Sequence, residues 1–128
     1  MKEKELFTLI KEKLCPSLEP TKQYDFKDAY CPGLNMVIEL KCRKEDYSTM
    51  LIEKPKYDKL ITVPDKARYI CSTPTQIISF NVKTISTPWW QFQWLPETTE
   101  FGKTELVKKV VGYIPNDKGK DITGLLLD

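Results

Sequence analysis

The chain of 128 residues carries a formal net charge of +2, with 30% charged and 41% hydrophobic residues, four cysteines and no histidine. That length suits one domain around a single core, and no apolar run approaches the ~18 residues that span a membrane. Without histidine, the commonest general base, Ser–His and Cys–His hydrolases and histidine–metal nucleases are excluded, leaving metal–carboxylate chemistry assisted by lysine among the few catalytic options.

Residues 2–14 (KEKELFTLIKEKL) place Leu6, Ile10 and Leu14 at four-residue steps with Phe7 beside them, the period of an amphipathic helix. Cys15-Pro16 ends it, because the residue before a proline is driven out of the helical region. Residues 17–23 read as a loop. An extended run follows from Tyr24 to Tyr30, then Cys31-Pro32-Gly33-Leu34-Asn35 as a tight connection. The apolar strand Met36-Val37-Ile38 runs on into Glu39-Leu40-Lys41-Cys42-Arg43. Beyond a polar link and the apolar run Thr49–Ile52, Glu53-Lys54-Pro55-Lys56-Tyr57 opens a helix reaching Ile61, with proline in the first turn, where its missing N–H costs nothing.

Residues 67–72 (ARYICS) and 76–85 (QIISFNVKTI) read as strands separated by Thr73-Pro74-Thr75. Residues 89–95 (WWQFQWL) alternate Trp90, Phe92 and Trp94 against Gln91, Gln93 and Leu95, a strand whose aromatic face is read as core, with base stacking as the functional alternative. Trp89, out of phase, is the expected exposed ring. Residues 103–111 (KTELVKKVV) suit a short helix with Leu106, Val107, Val110 and Val111 inward, and residues 116–124 (NDKGKDITG) read as a mobile tail. Nothing repeats, so a single domain over residues 1–128 is expected. The scattered cysteines, without a C-x-x-C pair, are read as reduced structural thiols. The start, Met1-Lys2-Glu3-Lys4-Glu5, does not match a signal peptide, so the expected location is cytoplasmic.

The hairpin around Pro32-Gly33 sets a register. If Gly33 and Leu34 centre the turn, antiparallel pairing puts Cys31 opposite Met36, Ala29 opposite Ile38 and Asp28 opposite Glu39. Side chains alternate along a strand, so Lys41 and Arg43 join Asp28 and Glu39 on one face while Ile38, Leu40 and Cys42 point to the other. Two carboxylates one cross-strand step apart (~5 Å) suit a hard divalent ion held with waters and a substrate phosphate. An adjacent lysine can orient the attacking water and offset charge on the phosphate. The bland reading is a hairpin face of alternating charges. Asp25 is a rival for the role of Asp28, but the same pairing puts it on the other face. The cations Lys41, Arg43, Lys44, Lys54, Lys56 and Lys59 follow this stretch, and a local basic patch matters more for phosphate contact than the total charge.

Asp28, then Glu39-Leu40-Lys41 at the end of a Val-Ile strand, resembles the PD-(D/E)xK nuclease superfamily, which includes restriction endonucleases, archaeal-type Holliday-junction resolvases and phage nucleases. The resemblance implies a restriction-endonuclease-like core, α/β or α+β, with a mixed central sheet flanked by helices. It implies Asp28 and Glu39 as ligands of Mg2+ or Mn2+, with the Leu40 carbonyl completing the coordination and Lys41 as the catalytic lysine. Lys27 stands where the family pattern has a proline. Glu53 and Tyr57, four apart, are similar to the Q-x-x-x-Y motif of one branch, with Glu in place of Gln. By that likeness Glu53 and Tyr57 would support the metal ligands, and Lys54, Lys56 and Arg43 would contact phosphate. A glutamate favoured by the helix dipole and a tyrosine packed on the core are the structural alternative. The first helix of the family can lend a glutamate, a role open to Glu12 or Glu5 against plain solvent exposure.

Residues 52–60 (IEKPKYDKL) and 95–102 (LPETTEFG) also resemble small phage proteins of this superfamily. What the likeness implies is a phage endonuclease or junction resolvase acting on nucleic acid, DNA ahead of RNA, in the host cytoplasm. By analogy it also implies a homodimer. The alternatives from another class are a nuclease-like fold that no longer cuts and binds nucleic acid or protein, and a phage factor that blocks a host defence protein.

Overall fold

The structure, a computed structural model, describes residues 1–22, 25–97 and 105–127, with the side chains of residues 22–27 outside that description. In chain order the elements are α1 (Glu3–Lys13), β1 (Glu19–Lys22), β2 (Asp25–Cys31), β3 (Met36–Cys42), β4 (Thr49–Glu53), α2 (Lys54–Thr62), β5 (Lys66–Ser72), β6 (Ile77–Phe80), β7 (Gln91–Pro96), β8 (Leu106–Pro115), β9 (Lys120–Asp121) and α3 (Thr123–Leu127). The strands form a six-stranded mixed sheet, β1-β2-β3-β5-β6-β9, and a three-stranded sheet, β4-β8-β7. β3 and β5 pair in parallel. The segment between them carries β4 and α2, since parallel neighbours need a long return.

β3 is covered on both faces, which is why Ile38, Glu39 and Leu40 are all buried in succession. On one side Ile38 and Leu40 pack with Leu6, Phe7 and Ile10 of α1 and with Ile70, Ile77, Ile122 and Leu126. On the other, Tyr57 and Leu60 of α2 and Met50, Ile52 and Ile114 of the second sheet close over Tyr69, Cys71, Ile78 and Phe80. Alternation along β3 sends Glu39 toward this second core. Among the described residues no helix is long and apolar enough to cross a membrane.

Five local expectations are corrected. The segment over residues 17–23 is not all loop, because Glu19–Lys22 pairs with β2 as strand β1. Residues 106–115 are strand β8, not helix: Val107, Val110 and Val111 are β-branched, and pairing with both β4 and β7 outweighs a helical spacing of apolar residues. The strand after Thr75 stops at Phe80. The polar tail forms a 3-10 turn, β9 and α3, pinned by buried Ile122 and Leu126. The aromatic face of β7 is not core: Phe92 is 67% and Trp94 62% exposed, and Trp90 alone packs inward. Trp89 is 93% exposed, as its phase implies.

The tail makes one close approach. A Cβ on Gly119 would lie 2.5 Å from Ile78 Cγ2 and 2.8 Å from Phe80 Cδ1. Gly119→Ala is therefore expected to destabilise the protein by about 1–3 kcal/mol through overpacking, read as a lower urea midpoint.

Cys15 and Cys31 are joined in a disulfide that ties the end of α1 to the end of β2, which corrects the reading of all four cysteines as reduced. The pairing was invisible in the spacing because it is made by the packing of α1 onto β2. It closes a loop of sequence separation 16, so reduction is expected to cost about 3 kcal/mol of stability. The remaining thiols are Cys42 and Cys71. Burial is the main cause that raises both pKa values, that of Cys71 to about 12. Both stay protonated at neutral pH and should alkylate slowly in the native protein. Thiol titration in denaturant should count two groups before reduction and four after it.

Candidate active site

The β2–β3 hairpin has the expected register: Asp28 pairs with Glu39, Ala29 with Ile38 and Cys31 with Met36. The connection is a 3-10 turn over Pro32–Leu34, closed by Asn35 in the left-handed region at φ 49°. The Gly33 N–H donates to Ser17 Oγ at 3.1 Å, which anchors the turn to the segment after α1.

Asp28 and Glu39 thus stand side by side under α2. Glu39 is 1% exposed, a position that is costly for a carboxylate unless it is paired. Lys56 Nζ lies 2.9 Å from its Oε1 and Lys59 Nζ 3.2 Å from its Oε2. The same Lys59 nitrogen is 3.0 Å from Asp28 Oδ1. That oxygen is buried and takes no hydrogen bond among the described residues, so its contact with Lys59 is one of charge without donor alignment. Lys56 and Lys59 are three apart and share one side of α2, while Tyr57 and Leu60 point into the core. Sequence reasoning placed Lys59 only in the basic patch. The i, i+3 spacing from Lys56 was the signal that could have found it.

Lys41 is half-buried, two residues past Glu39 on the same strand face and opposite Cys71 of β5. Its charge, with that of Arg43, acts to lower the Cys71 pKa, against the larger effect of burial. Arg43 is committed elsewhere: its Nη2 donates to the Leu51 carbonyl at 2.7 Å, which also accepts from Tyr69 Oη at 2.7 Å. It ties the end of β3 to β4. The Leu40 carbonyl follows Glu39 directly on β3.

The start of α2 makes a separate group. Glu53 stands at the N-cap position without a side-chain capping bond, and its Oε1 lies 3.1 Å from Lys109 Nζ. Lys54 pairs with Asp58 at 2.8 Å and sits 5.7 Å from the Trp90 ring centroid. Tyr57 is buried, donates to Thr87 Oγ1 at 3.3 Å and meets Trp90 edge-on at 5.1 Å. None of these three contacts Asp28 or Glu39 in the bonds described. Glu12 is exposed on α1, which packs against the opposite face of the sheet from Glu39. The Asp25 side chain lies outside the described residues.

The chemistry of this donor set fits a hard divalent ion. Two carboxylates from paired strands, one of them with a buried oxygen lacking a hydrogen bond, suit an ion that keeps several waters. A softer, fully protein-caged ion is less well served, because no cluster of three or more His, Cys, Asp or Glu occurs among the described residues.

No protein-family model matches the sequence, and no curated protein does. Among solved structures the chain is similar to Hjc of Archaeoglobus fulgidus, a Holliday junction resolvase from an archaeal hyperthermophile, with a TM-score of 0.53. The match covers 97% of this chain and 96% of that one, at 16% identity. The fold is restriction-endonuclease-like. At that identity the likeness speaks for the architecture, a mixed central sheet flanked by helices, and the site rests on its own geometry.

Proposed function

We propose that this chain is a metal-dependent nuclease that hydrolyses phosphodiester bonds in DNA, acting as one domain over residues 1–128. The observation that carries the reading is the register of Asp28 against Glu39, with Lys41 on the same face, in a fold shared with a resolvase. Asp28 and Glu39 would hold Mg2+ or Mn2+, with the Leu40 carbonyl beside them. When bound, the ion would polarise the phosphate and lower the pKa of a coordinated water. Lys41 orients the attacking water and offsets charge on the phosphate. Lys56 and Lys54, on the rim of α2, supply cations for the flanking phosphates, and Arg43 keeps β3 fixed to β4 so that Lys41 stays in place. Glu53 and Tyr57 position α2 over the carboxylates through Lys109 and Thr87. An endonuclease or junction resolvase of phage origin, working as a homodimer, is the role this reading favours.

A second reading has its own support. Both oxygens of Glu39 already meet lysines, and the rings of Trp89, Phe92 and Trp94 are exposed. Both features also suit a silent fold that binds nucleic acid or protein. Cleavage separates the two. Supercoiled plasmid, linear duplex, single strands, a four-way junction and RNA are incubated with Mg2+, Mn2+ or EDTA. Cutting that requires the metal supports the nuclease. No cutting of any substrate, together with no metal binding, leaves the binding module.

A further inference from the structure

We propose that Lys59 is the resident counter-cation of the carboxylate pair and that a divalent ion enters by displacing its ammonium group. The inference rests on the metal-nuclease reading above and concerns how that site is loaded. One nitrogen reaches carboxylates on two strands, 3.0 Å from Asp28 Oδ1 and 3.2 Å from Glu39 Oε2. Among the described residues, the ion pair of Lys56 is with Glu39, at 2.9 Å. Asp28 Oδ1, buried and without a hydrogen bond among the described residues, meets Lys59 by charge rather than by donor direction. That is the kind of contact a spherical ion replaces without loss.

The physics of the pair gives Lys59 two opposed effects. Two carboxylates one cross-strand step apart repel each other. The ammonium set between them offsets part of that repulsion and holds the two strands' carboxylates together, as an ion in the same place would. It also occupies their facing oxygens, so an ion that binds only the freed pair must first shift the equilibrium away from the lysine-bound state. The Lys59 side chain is 41% exposed, which lets it swing into solvent while α2 stays packed through Tyr57 and Leu60. Lys59 is thus a positioning residue that sets metal affinity.

The test is Mn2+ binding to the full chain by titration calorimetry, with thermal melts in the presence and absence of Mn2+. Wild type is compared with Lys59→Met, Lys59→Gln, Lys59→Arg, Lys56→Met and Asp28→Asn. The neutral Lys59 variants are expected to bind Mn2+ roughly 3- to 10-fold more tightly, to melt lower than wild type without metal, and to gain more from adding it. Lys59→Arg, which keeps the charge, should retain wild-type affinity, and Lys56→Met should change it less than Lys59→Met. A purely structural lysine would weaken metal binding when removed. Unchanged or weaker binding in both neutral variants, with Asp28→Asn still abolishing wild-type binding, overturns the Lys59 inference and leaves the nuclease reading standing. Absence of Mn2+ binding in wild type and every variant overturns both.

Discussion

Glu39→Leu is expected to lower metal-dependent cleavage by about 10²–10³-fold while leaving the protein as stable as wild type or more stable by about 1–3 kcal/mol. Glu39 is 1% exposed in the middle of the central strand, between Ile38 and Leu40. Desolvating a carboxylate there costs several kcal/mol, and two lysines repay it only in part. Those lysines, with side chains 34% and 41% exposed, can return to water once the carboxylate is gone. A leucine of similar volume then fills the gap without an orphaned charge. Asp28→Asn gives the complementary case. It should lose cleavage to a similar degree, yet stay within about 1 kcal/mol in stability, because the buried Oδ1 makes no hydrogen bond among the described residues. Cleavage lost while stability holds or rises identifies a group kept for function at the expense of the fold. Intact cleavage with a loss of several kcal/mol would mean that the carboxylates and lysines form a structural cluster instead.

The hairpin was legible because it is local. A turn centre and the two-residue alternation fix which side chains face each other, so the pairing of Asp28 with Glu39 follows from counting. The first helix was legible for the same reason, carrying a clean period of its own, and β5 was legible from its β-branched and aromatic residues. Residues 106–111 were not, because Leu106, Val107, Val110 and Val111 fit a helical face as well as a strand covered in part on both sides, and only β4 and β7 decide between them. The pairing of Cys15 with Cys31 and the reach of Lys59 to Asp28 are likewise products of packing between elements distant in sequence. The facing of the two carboxylates was therefore readable, whereas the lysine that reaches both left only its i, i+3 spacing from Lys56 as a signal. Neighbours on one hairpin announce themselves, whereas a residue delivered by a crossing helix does not.

The same limit misassigned the aromatic core, and a pair of substitutions exposes the difference. Phe80→Ala is expected to cost about 3–5 kcal/mol, and Phe92→Ala to stay within about 0.5 kcal/mol, both measured by urea unfolding. Phe80 is fully buried on β6, where it packs beside Tyr69 with ring centroids 6.3 Å apart and meets Gly119. Truncation removes a ring from the core that also holds Tyr57 and Leu60 of α2. The neighbours are sheet residues that relax little, so a cavity remains. Phe92 looks the more core-like in sequence, set in an alternating run between Trp90 and Trp94. Yet it lies on β7, the edge of the second sheet, 67% exposed. Its described partner is the Lys108 ammonium, 4.4 Å from the ring centroid, a cation–π contact weakened by water. Because α2 rests on the core that Phe80 fills, Phe80→Ala should also loosen Lys56 and Lys59 over the carboxylates. Metal affinity in that variant should then move together with stability, whereas in Phe92→Ala neither should move. Equal losses from both variants would place the aromatic strand back in the core and remove the exposed rings as a binding surface.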